Sequence, residues 1–160
     1  MPSFFETKTM PYQAQQIFAL VMDIEKYPEF LPWCKQAKII EKISSNNLTA
    51  DLLINFKNFF EKYRSDVKHG KSPEGLYFVE THAISGPFKN LFSSWKVKQL
   101  ADKNSCEIEF FIEFQFNSIF LEKMIGGIFE KAALKMIGAF EERARQIFLV
   151  KNLTSPHHAN

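Results

Sequence analysis

Residues 106–117 read CEIEFFIEFQFN, and residues 118–148 continue SIFLEKMIGGIFEKAALKMIGAFEERARQIF. The first segment alternates. Cys106, Ile108, Phe110, Ile112, Phe114 and Phe116 share one face, and Glu107, Glu109, Glu113, Gln115 and Asn117 share the other. Period two with one polar face is an antiparallel strand covered on one side. The second segment changes period. Leu121, Ile125, Ile128, Phe129, Ala132, Met136, Ile137, Phe140, Ala144 and Ile147 recur at three- and four-residue spacing, with Glu122, Lys123, Glu130, Lys131, Lys135, Glu142 and Arg145 off that stripe. This predicts one long amphipathic helix over about 118–148. Gly126-Gly127 interrupts it and predicts either a kink or a close approach of backbone to a ligand or a strand.

Working outward from that junction, more half-polar strands precede it. Ala50, Leu52, Ile54 and Phe56 alternate with Thr49, Asp51, Leu53 and Asn55. Phe59, Tyr63, Ser65 and Val67 alternate with Phe60, Lys62, Arg64, Asp66 and Lys68, which also places Glu61 on the inward face. Leu91, Ser93, Trp95 and Val97 alternate with Phe92, Ser94, Lys96 and Lys98. Turn signals fall at Lys57-Asn58, from His69-Gly70 to Gly75, at Gly86-Pro87 and over 101–105. Near the N-terminus, residues 4–9 read as a first strand, and Pro11 suits the first turn of a helix over 12–23. Pro28 and Pro32 restrict 27–33 to a short helical turn and a stiff loop.

The order is therefore one strand, two helical pieces, a run of antiparallel strands and a long helix. We expect an α+β fold in which a curved antiparallel sheet of about seven strands grips the C-terminal helix. Small inward residues (Ala50, Ser65, Ala83, Ser93 and Ala133) set among Phe and Trp predict unfilled space between sheet and helix. A chain of 160 residues suits one domain, 1–150, followed by a loose polar tail, 151–160.

Composition narrows the function. The chain holds 18 Phe, 4 Tyr and 2 Trp, more bulky apolar surface than a core of this size needs, which points to an apolar ligand. Twenty basic and eighteen acidic residues are too balanced to imply DNA binding. Cys34 and Cys106 form no CxxC pair and suit a reduced, cytoplasmic setting. No secretory or organelle signal is evident at the N-terminus, and no stretch approaches the roughly 20 apolar residues of a membrane span. The four His show no metal-ligand spacing, and no nucleophile-elbow, phosphate-loop, dinucleotide or zinc-protease motif occurs.

Several segments together resemble the coenzyme Q-binding START-domain family. They are Pro11-Tyr12, the run from Tyr27-Pro28 through Phe30-Leu31-Pro32-Trp33 to Cys34, and Phe56-Lys57-Asn58 with Glu61 and Tyr63. Gly86-Pro87-Phe88-Lys89-Asn90-Leu91 with Trp95, and Phe110 to Phe116 entering the helix, complete the set. That family belongs to the polyketide cyclase/START-like group and includes the bacterial ribosome association toxins. The resemblance implies a helix-grip (START/Bet v 1-like) fold and a hydrophobic tunnel for ubiquinone or a related polyprenyl lipid. Trp33 is closer to the quinone-binding branch. Asn58 stands where the family often has Gly, and Glu80 and His82 fall in a strand expected to be more apolar.

The ligand-binding candidates are Leu31, Trp33, Phe56, Glu61, Tyr63, Trp95, Phe110, Phe114, Ile125 and Phe129. Burying each CH₂ contributes about 0.8 kcal/mol, so a few isoprene units suffice for micromolar binding. Glu61 is a candidate hydrogen-bond partner for a quinone head group, and a strand-end Glu exposed to solvent is the plainer alternative. Leu31, Pro32 and Trp33 are placed to close the tunnel mouth, and Trp33 and Phe30 to touch a membrane interface.

The expected activity is non-enzymatic, with no catalytic residue and no catalytic cofactor: binding and transfer of a polyprenyl quinone in support of respiration or quinone synthesis, with transient membrane contact at the inner membrane. The alternative is a ribosome-associated protein that blocks subunit joining, using Lys62, Arg64, Lys68, Lys96 and Lys98 as a basic face. Against a bare basic face, Lys96 and Lys98 are expected to lie opposite Glu107 and Glu109. A cyclase or hydrolase would have only Glu61, Tyr63, Thr81 and His82 to work with, which is thin for catalysis.

Overall fold

The computed structural model describes residues 2–56 and 59–149. The expected turn at Lys57-Asn58 and the expected tail, 151–160, lie outside the described residues. Seven strands form one sheet: β1 (Ser3–Met10), β2 (Cys34–Ser44), β3 (Asn47–Phe56), β4 (Phe59–Lys71), β5 (Tyr77–Ser85), β6 (Phe88–Gln99) and β7 (Cys106–Phe116). Their spatial order is β1-β7-β6-β5-β4-β3-β2, and every pairing is antiparallel. The first strand thus closes against the last, and the intervening strands follow as a meander. Helix α1 (Ala14–Met22) and a 3₁₀ turn (Ile24–Glu29) join β1 to β2, and α2 (Ile119–Gly126) and α3 (Phe129–Ala144) follow β7.

The expected alternation holds strand by strand. On β7 the even-numbered residues from Cys106 to Phe116 turn inward, with Phe110 only 2% exposed. Val79, Thr81 and Ala83 face inward on β5, so Glu80 and His82 fall on the outer face, away from the interior. Register places Lys96 opposite Glu109 and Lys98 opposite Glu107, as expected.

Three expectations change. Pro11 sits in the link after β1 rather than in the first helical turn. The helix begins at Ala14, where the backbone N–H donates to Gln99 Oε1 at 2.8 Å, and the Gln13 N–H donates to Gln16 Oε1 at 2.9 Å. The C-terminal helix is two helices: α2 ends at Gly126 and α3 begins at Phe129, with Ile128 between them leaving helical geometry at φ −120°, ψ 1°. A Cβ placed on Gly126 or Gly127 would meet no atom within 4 Å, so these glycines break the helix in open space and no strand lies close against them.

Glu61 is the third. It is exposed, although Phe59 before it is buried and Tyr63 after it is half-buried. Pairing of β4 with β5 starts only at Arg64. Residues 59–63 therefore extend past β5, and there Glu61 reaches solvent although Phe59, on the same parity, stays buried. Gly86, in the β5–β6 turn, adopts φ +120°, and a Cβ on it would lie 2.6 Å from Tyr63 Cβ. Glycine is required there by both conformation and space.

Candidate functional site

The interior is not filled. Ala50 pairs with Ser65 across β3–β4, Ser65 with Ala83 across β4–β5, and Thr81 with Ser93 across β5–β6. This row of short side chains runs over the middle of the sheet beneath α3. The facing helix contributes Met136 and Phe140, and a chamber of about 110 Å³ remains between helix and sheet. A second chamber of about 170 Å³ adjoins it toward α2 and is the more open of the two. Trp33, Ile54, Tyr63, Leu91, Ile112 and Met136 line both and form a waist between them. Together the chambers approach the lower end of the roughly 300–1,000 Å³ typical of ligand pockets.

Nine of the ten candidate residues line these chambers. Leu31, Trp95 and Phe110 belong to the inner chamber and Trp33 and Tyr63 to the waist, while Phe56, Phe114, Ile125 and Phe129 line the outer chamber. Glu61 belongs to neither. The walls are aromatic and rigid: Trp95 packs on Phe110 and on Phe140, each at 4.8 Å between ring centres, and Phe114 packs on Phe129 at 4.4 Å. Outer-chamber residues Phe59, Phe88 and Phe116 form a further cluster, with Phe88 and Phe116 stacked at 5.0 Å.

The rest of the waist (Ile54, Leu91, Ile112 and Met136) was not singled out from sequence. Alternation already turns Ile54, Leu91 and Ile112 inward, and Met136 lies on the helical stripe. Nothing in a periodic pattern tells which inward residues border a gap.

The chambers carry few polar groups. Thr81 Oγ1 and Ser93 Oγ lie 2.6 Å apart on the inner floor, beside buried Ser65. Burial raises the Tyr27 and Tyr63 phenols above their ordinary range and pushes the Cys34 thiol up to about 11, so all three stay protonated at neutral pH. Such a thiol is a poor nucleophile. No Asp, Glu, Lys, Arg or His lines either chamber among the described residues, and no group of His, Cys, Asp or Glu there could hold a metal.

The loop carrying Leu31 and Trp33 is anchored to α3. Tyr27, Phe30 and Phe140 meet edge to face at 5.0–5.9 Å, and the Tyr27 hydroxyl donates to the Val21 carbonyl. Arg143 Nη2 donates to Glu29 Oε1 at 2.8 Å, with its guanidinium 5.2 Å from the centre of the Phe30 ring. The same hydrogen bond holds the Glu29 carboxyl below its ordinary range.

The sheet, its helical cover and the partly empty interior define a START/Bet v 1-like helix-grip protein. The chain belongs to the polyketide cyclase / dehydrase and lipid transport family, whose model matches residues 10–141. It is 42% identical over 147 residues to the ribosome association toxin RatA of Rickettsia prowazekii, covering 92% of this chain and 99% of that protein. It is 25% identical over 148 residues to the mitochondrial coenzyme Q-binding protein COQ10 homolog B of Xenopus laevis, covering 91% of this chain and 59% of that protein. Among solved structures, an 18 kDa protein of Caulobacter crescentus superposes with a TM-score of 0.73 at 31% identity, covering 92% of this chain and 98% of that one.

Proposed function

We propose that the chain is a non-enzymatic carrier of a polyprenyl quinone or similar polyprenyl lipid. It takes the lipid from a membrane surface into the two chambers and screens it from water. The observation that carries this reading is the row of small residues under α3, which leaves apolar space where a plain core would be packed. The family's description as one of lipid transport and the similarity to a coenzyme Q-binding protein support it. The working site is Leu31, Trp33, Phe56, Tyr63, Trp95, Phe110, Phe114, Ile125 and Phe129. The cell compartment that fits is the cytoplasm, beside the inner membrane. No helix among the described residues is long and apolar enough to cross a membrane. Organic extraction of freshly purified protein followed by mass spectrometry tests the proposal. A stoichiometric prenyl lipid is expected; lipid-free protein that also takes up no added quinone overturns it.

A second reading, association with the ribosome, is favoured by the 42% identity to a ribosome association toxin over nearly all of both chains. The outward lysines and arginine are not a bare basic patch. Arg64 and Lys62 both reach Asp51, at 2.7 and 3.4 Å, and Lys96 and Lys98 lie opposite glutamates. Co-sedimentation with purified large subunits tests this reading. Binding abolished by charge reversal at Lys62, Arg64, Lys96 and Lys98 would assign it to this face, and absence of binding in the unaltered protein would refute it.

A further inference from the structure

The two chambers differ in chemistry. The outer one is walled by hydrocarbon, its only polar side chains among the described residues being Trp33 and Tyr63 at the waist. The inner one, farther from solvent, carries the Thr81–Ser93 hydroxyl pair and Ser65 on its floor. Polarity therefore rises inward, the reverse of an ordinary core.

The hydroxyl inventory sharpens this. Two hydroxyls hold two protons and four lone pairs. The single bond between Thr81 and Ser93 uses one of each, which leaves one proton unused by that bond, available to an acceptor in the chamber, whichever residue is the donor. Ser65, 4% exposed, adds a hydroxyl with no side-chain hydrogen bond of its own among the described residues. Tyr63, at the waist, adds a phenol that stays protonated. All of these can donate to neutral acceptor oxygens. Among the described residues no Lys, Arg or His lines the chamber to receive a carboxylate or phosphate, and burying an unpaired charge is far costlier than burying a carbonyl. An inner chamber of about 110 Å³ is of the order of the roughly 150 Å³ cavity that admits a benzene ring.

We infer that the inner chamber is a head-group subsite for an uncharged amphiphile carrying acceptor oxygens on a single ring, which enters head first while its apolar tail passes the waist into the outer chamber. Thr81, Ser93 and Ser65 donate to the ring oxygens, and Tyr63 guards the waist. This rests on the lipid-binding reading and adds to it an orientation, a charge requirement and the residues that select the head.

The test compares three probes of matched tail: a decyl-substituted dimethoxy-methyl-benzoquinone, decylbenzene, and the decanoate anion. Affinities are measured by titration calorimetry at pH 7.5 for the unaltered protein and for T81V/S93A, with S65A as a milder variant and T81S/S93A as the rescue that restores one hydroxyl. The double variant should weaken quinone binding about tenfold, the worth of one to two hydrogen bonds, and leave decylbenzene binding unchanged. S65A should weaken quinone binding less, and T81S/S93A should recover part of the loss. Decanoate should bind at least about tenfold more weakly than the quinone. In isotope-filtered NMR spectra the quinone ring substituents should contact the Ala50 and Thr81 methyls.

Quinone bound equally well by the double variant, ring contacts at Ile125 instead of Ala50, or decanoate bound as tightly as the quinone would each overturn the inference while the lipid-binding reading stands. If neither the quinone nor decylbenzene binds the unaltered protein, both fall together.

Discussion

The two faces of the sheet solve opposite problems with the same strands. The concave face spends its middle on small residues, Ala50, Ser65, Thr81 and Ser93, and leaves a gap. The convex face keeps its charges in cross-strand register, with Lys96 opposite Glu109, Lys98 opposite Glu107 and Lys68 opposite Glu80. Its one strongly buried carboxylate among the described residues, Asp51 at 7% exposure, takes two hydrogen bonds from Arg64. One face therefore leaves space and the other pairs its charges. Composition blurs this contrast, because both faces draw on the same 18 Phe.

Adjacent residues on β7 give the hardest test of it. Phe110 is buried against Trp95 and Phe4, and Phe111 lies on the convex side near Phe5 and Phe92. Phe110→Ala should cost about 3–5 kcal/mol in urea unfolding, the usual range for an aromatic lost from a core. Phe111→Ala should cost less than about 1 kcal/mol. Equal losses would mean that the outer aromatics are structural, and the contrast between faces would break.

The next effect is on binding. Ser65→Leu should fill the inner floor. Overpacking a dense core costs about 1–3 kcal/mol, whereas adding bulk to a real gap should change stability by less than about 1 kcal/mol and reduce quinone uptake at least tenfold. A large stability loss with uptake intact would place the vacancy elsewhere.

Much of this was legible in the sequence because period two is a local signal. Cys106 to Phe116, Ala50 to Phe56 and Leu91 to Val97 each announce an inner face, and nine of the ten candidates, drawn from these strands, from 59–68, from the 27–33 loop and from the C-terminal helix, border the chambers. Glu61 departs from expectation because alternation assigns parity, not exposure: past the end of β5 pairing the charged side chain turns to solvent while Phe59 on the same parity stays buried. The Thr81–Ser93 contact joins strands whose register depends on a turn and on pairing, neither of which spacing along one strand encodes. The division of the last helix shows the same limit from another side. Gly126-Gly127 signalled an interruption, but a full break and a kink share that signal.

Asp51 supplies a smaller, pH-dependent test of the convex face. Hydrogen bonding from Arg64, with further help from Lys62, holds its carboxyl below the ordinary aspartate range. The folded state therefore prefers the carboxylate. Its contribution is complete above the unfolded value of about 3.9 and is lost as pH falls through the lower folded value. Asp51→Asn should lower stability by about 1 kcal/mol at pH 7, as expected for a partly exposed, hydrogen-bonded pair. The difference from the unaltered protein should fade toward pH 2. A difference that stayed constant from pH 7 to pH 2 would show that shape, not charge, holds this corner of the sheet.

The smallest expected effect separates a needed break from a tolerated one. Gly127 has φ −75° and ψ −12°, a backbone any residue adopts, and a Cβ there meets open space. Gly127→Ala should therefore stabilise the protein by about 0.5–1 kcal/mol by restricting the unfolded chain and favouring helix. Because α2 carries Ile125 into the outer chamber and α3 carries Phe129, stiffening their junction also probes entry. If the glycine serves only to end a helix, uptake rates should match those of the unaltered protein. If the variant is more stable but loads quinone several-fold more slowly, with unchanged affinity at equilibrium, then α2 moves to admit the ligand, and the concave face has a working door as well as a vacant room.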